Sequence, residues 1–184
     1  MIYEPAEDSY LLEKEVKVRA NGKRVLDVGT GSGIQARAAL DSGAKEVLAV
    51  DVNPESVEHC KKKEINAIQS YLFSNISSGK FDLIIFNPPY LPYDSLEDRV
   101  SALATSGGKK GDEIIVRFLK DVGDYLSEDG IILLVVSSLT PLGEIGNVLK
   151  EKNFVKKVIA SEKVFMEELW VWKIRKDYKL QPDM

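Results

Sequence analysis

The chain has 184 residues, 44% of them hydrophobic and 29% charged, which suits one full core and leaves no room for a second domain of comparable size. A single cysteine, Cys60, excludes an internal disulfide, and together with the one histidine, His59, it cannot fill a zinc site, so no metal is expected. No signal-like or membrane-length apolar run occurs, which makes the cytoplasm the expected compartment, and a net charge of -4 with a pI near 5.2 argues against a broad basic footprint for nucleic acid.

Glu4-Pro5-Ala6-Glu7-Asp8-Ser9, ahead of Tyr10, Leu11, Leu12 and Val16, reads as the capped start of a helix running to about Arg19. Asn21-Gly22 marks a turn. Arg24 to Val28 is a short apolar strand leading into Gly29-Thr30-Gly31-Ser32-Gly33, and a helix follows from near Gly33 until Ser42-Gly43 stops it. Glu46 to Val50 is a second strand closed by Asp51, and Pro54 opens a helix to about Glu64. Ala67 to Tyr71 and Phe81 to Phe86 are the third and fourth strands. Leu83 to Phe86 are apolar without alternation, as a strand covered on both faces requires.

Residues 93–105 show no clean period and are expected to be loop with a short helix, placed to cover a site. Ile114, Ile115, Phe118, Leu119, Val122 and Leu126 have the spacing of one helix face. Asp129-Gly130 then introduces a strand from Ile131 to Val136, and Pro141 starts a helix ending near Lys152. Phe154 to Ala160 and Glu168 to Ile174 are close enough in sequence to pair antiparallel. The expected domain covers residues 1–176, with 177–184 a polar, frayed tail. Alternating strands and helices imply an α/β architecture with a mostly parallel sheet covered on both faces, and ligands in such sheets lie beyond the carboxyl ends of the strands. Gly29 to Gly33, Asp51, Tyr71 and Asn87 all fall at those ends.

Glycines at 29, 31 and 33 allow a tight turn and close approach of the backbone to a ligand at a helix start. The dinucleotide fingerprint needs a further glycine where Ile34 stands, and no Gly-Lys-Ser/Thr follows as a phosphate loop requires, so NAD and nucleoside triphosphates are disfavoured. Asp27, just before the loop, would repel a pyrophosphate but could face a cationic amino or sulfonium-bearing ligand. Asp51, 18 residues past Gly33, can accept from two ribose hydroxyls. This set suits S-adenosylmethionine.

Asn87-Pro88-Pro89-Tyr90 ends the fourth strand in a stiff turn rich in acceptors, because neither proline offers an N–H. The Asn87 side-chain oxygen and the Pro88 carbonyl could receive both hydrogens of a planar NH2 group while the Tyr90 ring lies against its face. The same residues also serve as an ordinary strand exit. The convergence of four strand tips favours the site.

Asp27-Val28-Gly29-Thr30-Gly31-Ser32-Gly33, Asp51 and Asn87-Pro88-Pro89-Tyr90 together resemble a Rossmann-like S-adenosylmethionine-dependent methyltransferase. Tyr3-Glu4-Pro5-Ala6-Glu7-Asp8-Ser9, Gly107-Gly108 with Gly111, and the expected lack of an extra amino-terminal domain narrow the resemblance. It is to the short archaeal and eukaryotic branch of the HemK family, protein-glutamine N5-methyltransferases acting on release factors, over about Ile2 to Arg175.

The resemblance implies a seven-stranded, mostly parallel sheet with an antiparallel carboxyl-terminal strand, and S-adenosylmethionine as cofactor. By position, Ser9 would approach the methionine end of the cofactor, Asp27 its amino group, Gly29, Gly31 and Gly33 its backbone cradle, Asp51 the ribose and Leu72, through its backbone or side chain, the adenine. Tyr71 stands where the family usually places an aspartate for the adenine amino group. Asn87, Pro88 and Tyr90 would be catalytic, Asn87 also touching the cofactor, and the three with Pro89 would form the substrate site. The implied substrate is the glutamine of a release factor's Gly-Gly-Gln loop, and a small zinc-binding activator subunit is an implied partner. A base amine of nucleic acid, a protein lysine, or cofactor binding without transfer are the alternatives.

Overall fold

The structure is a computed structural model that describes residues 2–77, 79–89 and 111–178. In chain order its elements are α1 (Glu7–Arg19), β1 (Arg24–Val28), α2 (Ile34–Asp41), β2 (Glu46–Asp51), α3 (Pro54–Lys62), β3 (Ala67–Gln69) and β4 (Phe81–Phe86). Then come α4 (Glu113–Asp121), a 3-10 turn (Val122–Asp124), β5 (Leu126–Ser137), α5 (Gly143–Glu151), β6 (Phe154–Val164) and β7 (Glu167–Lys176).

The strands form one sheet in the order β3-β2-β1-β4-β5-β7-β6. β1 pairs parallel with β2 and β4, and β4 with β5, while β7 runs antiparallel to both β5 and β6. Burial follows from the apolar runs: Leu83, Ile84 and Ile85 are fully buried because successive side chains enter opposite faces, and both faces are covered. Val25, Ala49, Leu83, Ile85, Leu133 and Val171 pack against α1, α2 and α3 through Leu12, Ala36 and Val57. Leu26, Ile84, Phe86, Leu134 and Trp172 pack on the other side against α4 and α5 through Phe118 and Ile145. Each buried Val, Leu, Ile or Phe among them contributes about 1.5–3 kcal/mol, so the centre of the sheet is a rigid base for whatever its ends carry. The expected seven-stranded Rossmann-like fold is the observed one.

Several boundaries differ. α1 begins at Glu7 after Ala6, which makes no side-chain cap, so the expected capped start is absent and Ser9 lies inside the first turn. β3 ends at Gln69, short of Tyr71, because the next residues form a turn: the Ser70 hydroxyl donates to the Leu72 carbonyl at 2.9 Å and accepts the Asn75 N–H at 3.1 Å. The helix expected to reach Leu126 stops at Asp121; Tyr125 N–H closes a tighter turn onto the Val122 carbonyl, and Leu126 pairs with Phe81 as the first residue of β5. The spacing misled because Ile115, Phe118, Leu119, Val122 and Leu126 do share one core, entered from a helix and from a strand. Asp129-Gly130 therefore lies within β5, where residues 127–130 bulge opposite Asp82. The expectations for Tyr90, residues 93–105, Gly107-Gly108 and the tail from 179 lie outside the described residues.

Candidate functional site

The glycine loop joins β1 to α2 with left-handed backbone at Gly29, Gly31 and Gly33, at φ 65°, 52° and 81°. At Gly33 space is as restrictive as torsion, since a Cβ there would meet Cys60 Sγ and Ile65 Cδ1 at 3.0 Å each. The loop is bound to the tip of β2. Thr30 N–H donates to the Val50 carbonyl at 3.0 Å, and Gly31 N–H to Asp51 Oδ2 at 2.8 Å. Asp51 Oδ1 accepts from Asn53 N–H at 2.8 Å. A carboxylate offers about four lone-pair sites, so each Asp51 oxygen retains capacity for a ligand hydroxyl. Burial raises the Asp51 carboxyl above its ordinary range, opposed by these backbone bonds.

Asp27, 1% exposed, sits beneath the loop. Its Oδ2 accepts from Thr30 Oγ1 at 2.6 Å and from Ala36 N–H at 3.1 Å, which fastens the loop to the first turn of α2. Both bonds go to one oxygen, leaving Oδ1 for an incoming cation. Burial pushes this carboxyl up to about 7, against the pull of the two hydrogen bonds.

On the other side of the loop, Asn87 leaves the end of β4, beside Phe86, whose ring edge would lie 3.5 Å from a Cβ at Gly29. Asn87 Nδ2 donates to Asp8 Oδ2 at 3.1 Å. Asp8 also receives the Tyr3 hydroxyl, at 3.3 Å on Oδ1 and 3.2 Å on Oδ2, and at Oδ1 the Ser9 N–H at 2.6 Å and the Ser9 hydroxyl at 3.1 Å. Burial first, and then the charge of Asp8, raise the Tyr3 phenol well above its ordinary range. The Ser9 carbonyl accepts from Gln35 Nε2 at 2.8 Å. The segment from Tyr3 to Ser9 thus bridges two strand ends, because a Cβ at Gly31 would lie 3.8 Å from Tyr3 Cβ.

The Oδ1 of Asn87 is buried and has no hydrogen-bond partner among the described residues. An unmet buried acceptor costs about 1–3 kcal/mol. A side-chain oxygen held in that condition is the feature a ligand N–H would satisfy.

Ser9, Asp27, Gly29, Gly31, Gly33, Asp51 and Asn87 are therefore joined by contacts or hydrogen bonds into one cluster at the carboxyl ends of β1, β2 and β4. Pro88 is buried and Pro89 half-buried beyond Asn87, and Tyr90 lies outside the described residues. Tyr71 is 42% exposed at the rim, with the Arg117 guanidinium 5.1 Å from its ring centre. Leu72 has φ 50° and its side chain is in the core, so of the two ways it was expected to reach an adenine only its backbone remains.

Tyr3, Asp8, Thr30 and Gln35 were not singled out in the sequence. An acid in a first helical turn reads as a partner of the helix dipole, and only membership of the heptapeptide from Tyr3 to Ser9 marked Asp8 as anything else. Among the described residues there is no group of three or more metal-ligating side chains, and no helix long and apolar enough to cross a membrane.

Residues 10–134 match the family model for ribosomal protein L11 methyltransferase (PrmA). A relative from Methanocaldococcus jannaschii, named as a candidate protein N5-glutamine methyltransferase, is 42% identical over 92% of this chain and 89% of its own. Methyltransferase HEMK2 of Homo sapiens is 30% identical over 95% of this chain and 90% of its own. Among solved structures, the E. cuniculi Mtq2–Trm112 complex, described as responsible for methylation of the eRF1 translation termination factor, matches with a TM-score of 0.78 and 26% identity, over 96% of this chain and 99% of the matched one.

Proposed function

The chain belongs to the HemK family of S-adenosylmethionine-dependent protein-glutamine methyltransferases, and from that premise we propose that it methylates the side-chain nitrogen of the glutamine in a release factor's Gly-Gly-Gln loop. The observation that carries this reading is the buried Oδ1 of Asn87 beside the glycine loop, which has no hydrogen-bond partner among the described residues. A carboxamide NH2 is planar and has two hydrogens to give. Asn87 Oδ1 and the Pro88 carbonyl would take one each.

The residues present fit the cofactor. The left-handed torsions of Gly29, Gly31 and Gly33 let the loop backbone approach a ligand closely, Asp27 keeps Oδ1 for an ammonium group, and Asp51 keeps lone pairs for ribose hydroxyls. Ser9 would border the methionine end, with Tyr71 and the backbone of Leu72 at the adenine end. When bound, the cofactor supplies a methyl group already activated by its sulfonium.

The work left to the protein is orientation. An amide nitrogen is a weak nucleophile because its lone pair is delocalised into the carbonyl. Gripping both N–H bonds fixes the direction of that nitrogen and favours the positive charge it gains in the transition state. As the new N–C bond formed, the methyl–sulfur bond would break to leave a neutral thioether. The methylated nitrogen would be acidic enough to give its surplus proton to water, so no strong base is needed and a site without a catalytic histidine suffices. Tyr90 would hold the planar group by its face.

The Mtq2 structure contains a second chain, Trm112, which supports a small activator subunit as a partner here too. Incubation of the protein, with and without such a subunit, with labelled S-adenosylmethionine and a release factor, tRNA, rRNA or DNA tests the acceptor class. Mass spectrometry of the Gly-Gly-Gln loop is expected to show one added methyl on glutamine. Label in nucleic acid alone would overturn the proposal.

A further inference from the structure

We propose that Asp8 is a positioning residue for Asn87: its carboxylate decides which end of the Asn87 amide faces the acceptor. The inference rests on the reading of Asn87 as the group that grips the acceptor's NH2.

A primary amide has two ends of nearly the same size, an oxygen that accepts and an NH2 that donates. Turning it over exchanges them with almost no change in shape. At the end of β4 only one orientation helps, because an NH2 presented to another NH2 sets donor against donor. Something must therefore break the near-symmetry of Asn87. Asp8 is placed to do so, since an ionised carboxylate only accepts, and the Asn87 end 3.1 Å from Asp8 Oδ2 must be the NH2.

The surroundings of Asp8 hold it to that task. The carboxylate is 4% exposed and receives three further donors: the Tyr3 hydroxyl, the Ser9 N–H and the Ser9 hydroxyl. With four donors converging, a neutral amide in its place would turn an NH2 of its own toward one of them. The Ser9 N–H at 2.6 Å and the Ser9 hydroxyl at 3.1 Å share Oδ1, so an amide at position 8 would keep its oxygen there and direct its NH2 at Asn87. Asn87 would turn over, bringing its oxygen to position 8 and its NH2 toward the acceptor.

This arrangement makes a reciprocal test possible. Asp8→Asn alone is expected to lower kcat by about a hundredfold through the inverted amide, with cofactor affinity within about threefold of wild type. Asn87→Asp alone is expected to lose a similar factor, because two carboxylates would face one another at hydrogen-bond distance. In the double variant the exchange restores a donor facing an acceptor, and an oxygen again points at the substrate. Its kcat should exceed either single variant by at least about tenfold, a coupling that mere damage to the fold does not produce.

The rates are read as single turnovers on whichever acceptor the wild type methylates, beside calorimetry with S-adenosylmethionine and thermal melts. Asp8→Asn with kcat within about threefold of wild type would overturn the inference. So would a double variant that binds cofactor normally yet is no faster than the slower single. If Asp8→Asn does not fold, Tyr3→Phe removes one donor from the same carboxylate near the surface. A three- to tenfold fall in kcat, roughly what one lost hydrogen bond allows, then supports the clamp, and unchanged kcat overturns it. An inactive Asn87→Ala beside an active Asp8→Asn would sink the role of Asp8 alone. An active Asn87→Ala would sink the reading on which that role rests.

Discussion

The backbone N–H of Gly31 donates to Asp51 Oδ2 at 2.8 Å, so the residue expected to grip the ribose also holds the middle of the glycine loop against β2. Two functions fall on one carboxylate, and Asp51→Ala should lose both. We expect cofactor affinity to fall by about a hundredfold and stability by about 1–3 kcal/mol, the scale of charge-assisted hydrogen bonds. Calorimetry and urea unfolding measure the two losses separately. An unchanged Kd would remove Asp51 from the binding site.

Asp27 makes the site sensitive to pH. Its carboxyl is raised from 3.8 to about 7 by burial, so between those values the folded chain holds a proton that the unfolded chain has released. The ligand-free protein should therefore lose stability as pH rises through that window, and the loss should level off above about 7. Binding a cationic ammonium requires the ionised form, so affinity should move the other way. At pH 6 only about one tenth of Asp27 would be ionised, making the apparent Kd about tenfold weaker than at pH 8. Asp27→Asn should weaken binding and flatten this slope. A wild-type Kd independent of pH from 6 to 8 would contradict the assignment.

Gly33→Ala should destabilise the loop by about 1–3 kcal/mol, from left-handed torsion and overpacking together. The position has φ 81° and a Cβ would stand 3.0 Å from Cys60 Sγ. Adding Cys60→Ala should recover only the share of the steric part due to Sγ, leaving the equally close Ile65 Cδ1 contact and the torsional part. Thermal melts of the single and double variants check this, and an alanine at 33 that costs nothing would show that the loop is not built as described.

The sheet and the glycine loop were readable because they rest on patterns with one physical meaning. The bounds of β1 and β4 follow from apolar runs between turn residues, and the loop from glycines that only unusual torsions explain. What escaped was what depends on distant partners. Leu126 carried helical spacing but pairs with Phe81, and Asp8 stood in the sequence only as one member of a heptapeptide although its carboxylate accepts from Asn87. Such contacts join residues up to 79 positions apart. Periodicity, which reports only near neighbours, does not register them.

Tyr71→Asp should tighten cofactor binding. Tyr71 follows the end of β3 at the rim, half in solvent, where the family usually places an aspartate for the adenine amino group. One added hydrogen bond of about 0.5–1.5 kcal/mol corresponds to a gain of about two- to tenfold. The new carboxylate would also have Arg117 within reach in place of the present contact between guanidinium and ring. Calorimetry that shows equal or weaker binding would place the adenine elsewhere.

The central claim is that the side-chain oxygen of Asn87, without a partner among the described residues, holds the acceptor amide beside the cofactor loop. Single-turnover methylation of a release factor by Asn87→Ala, with S-adenosylmethionine binding measured on the same sample, tests it most directly. The account predicts a fall in kcat of at least about a hundredfold, comparable to removing one oxyanion-hole group, with cofactor affinity close to wild type. Turnover near the wild-type rate would contradict it.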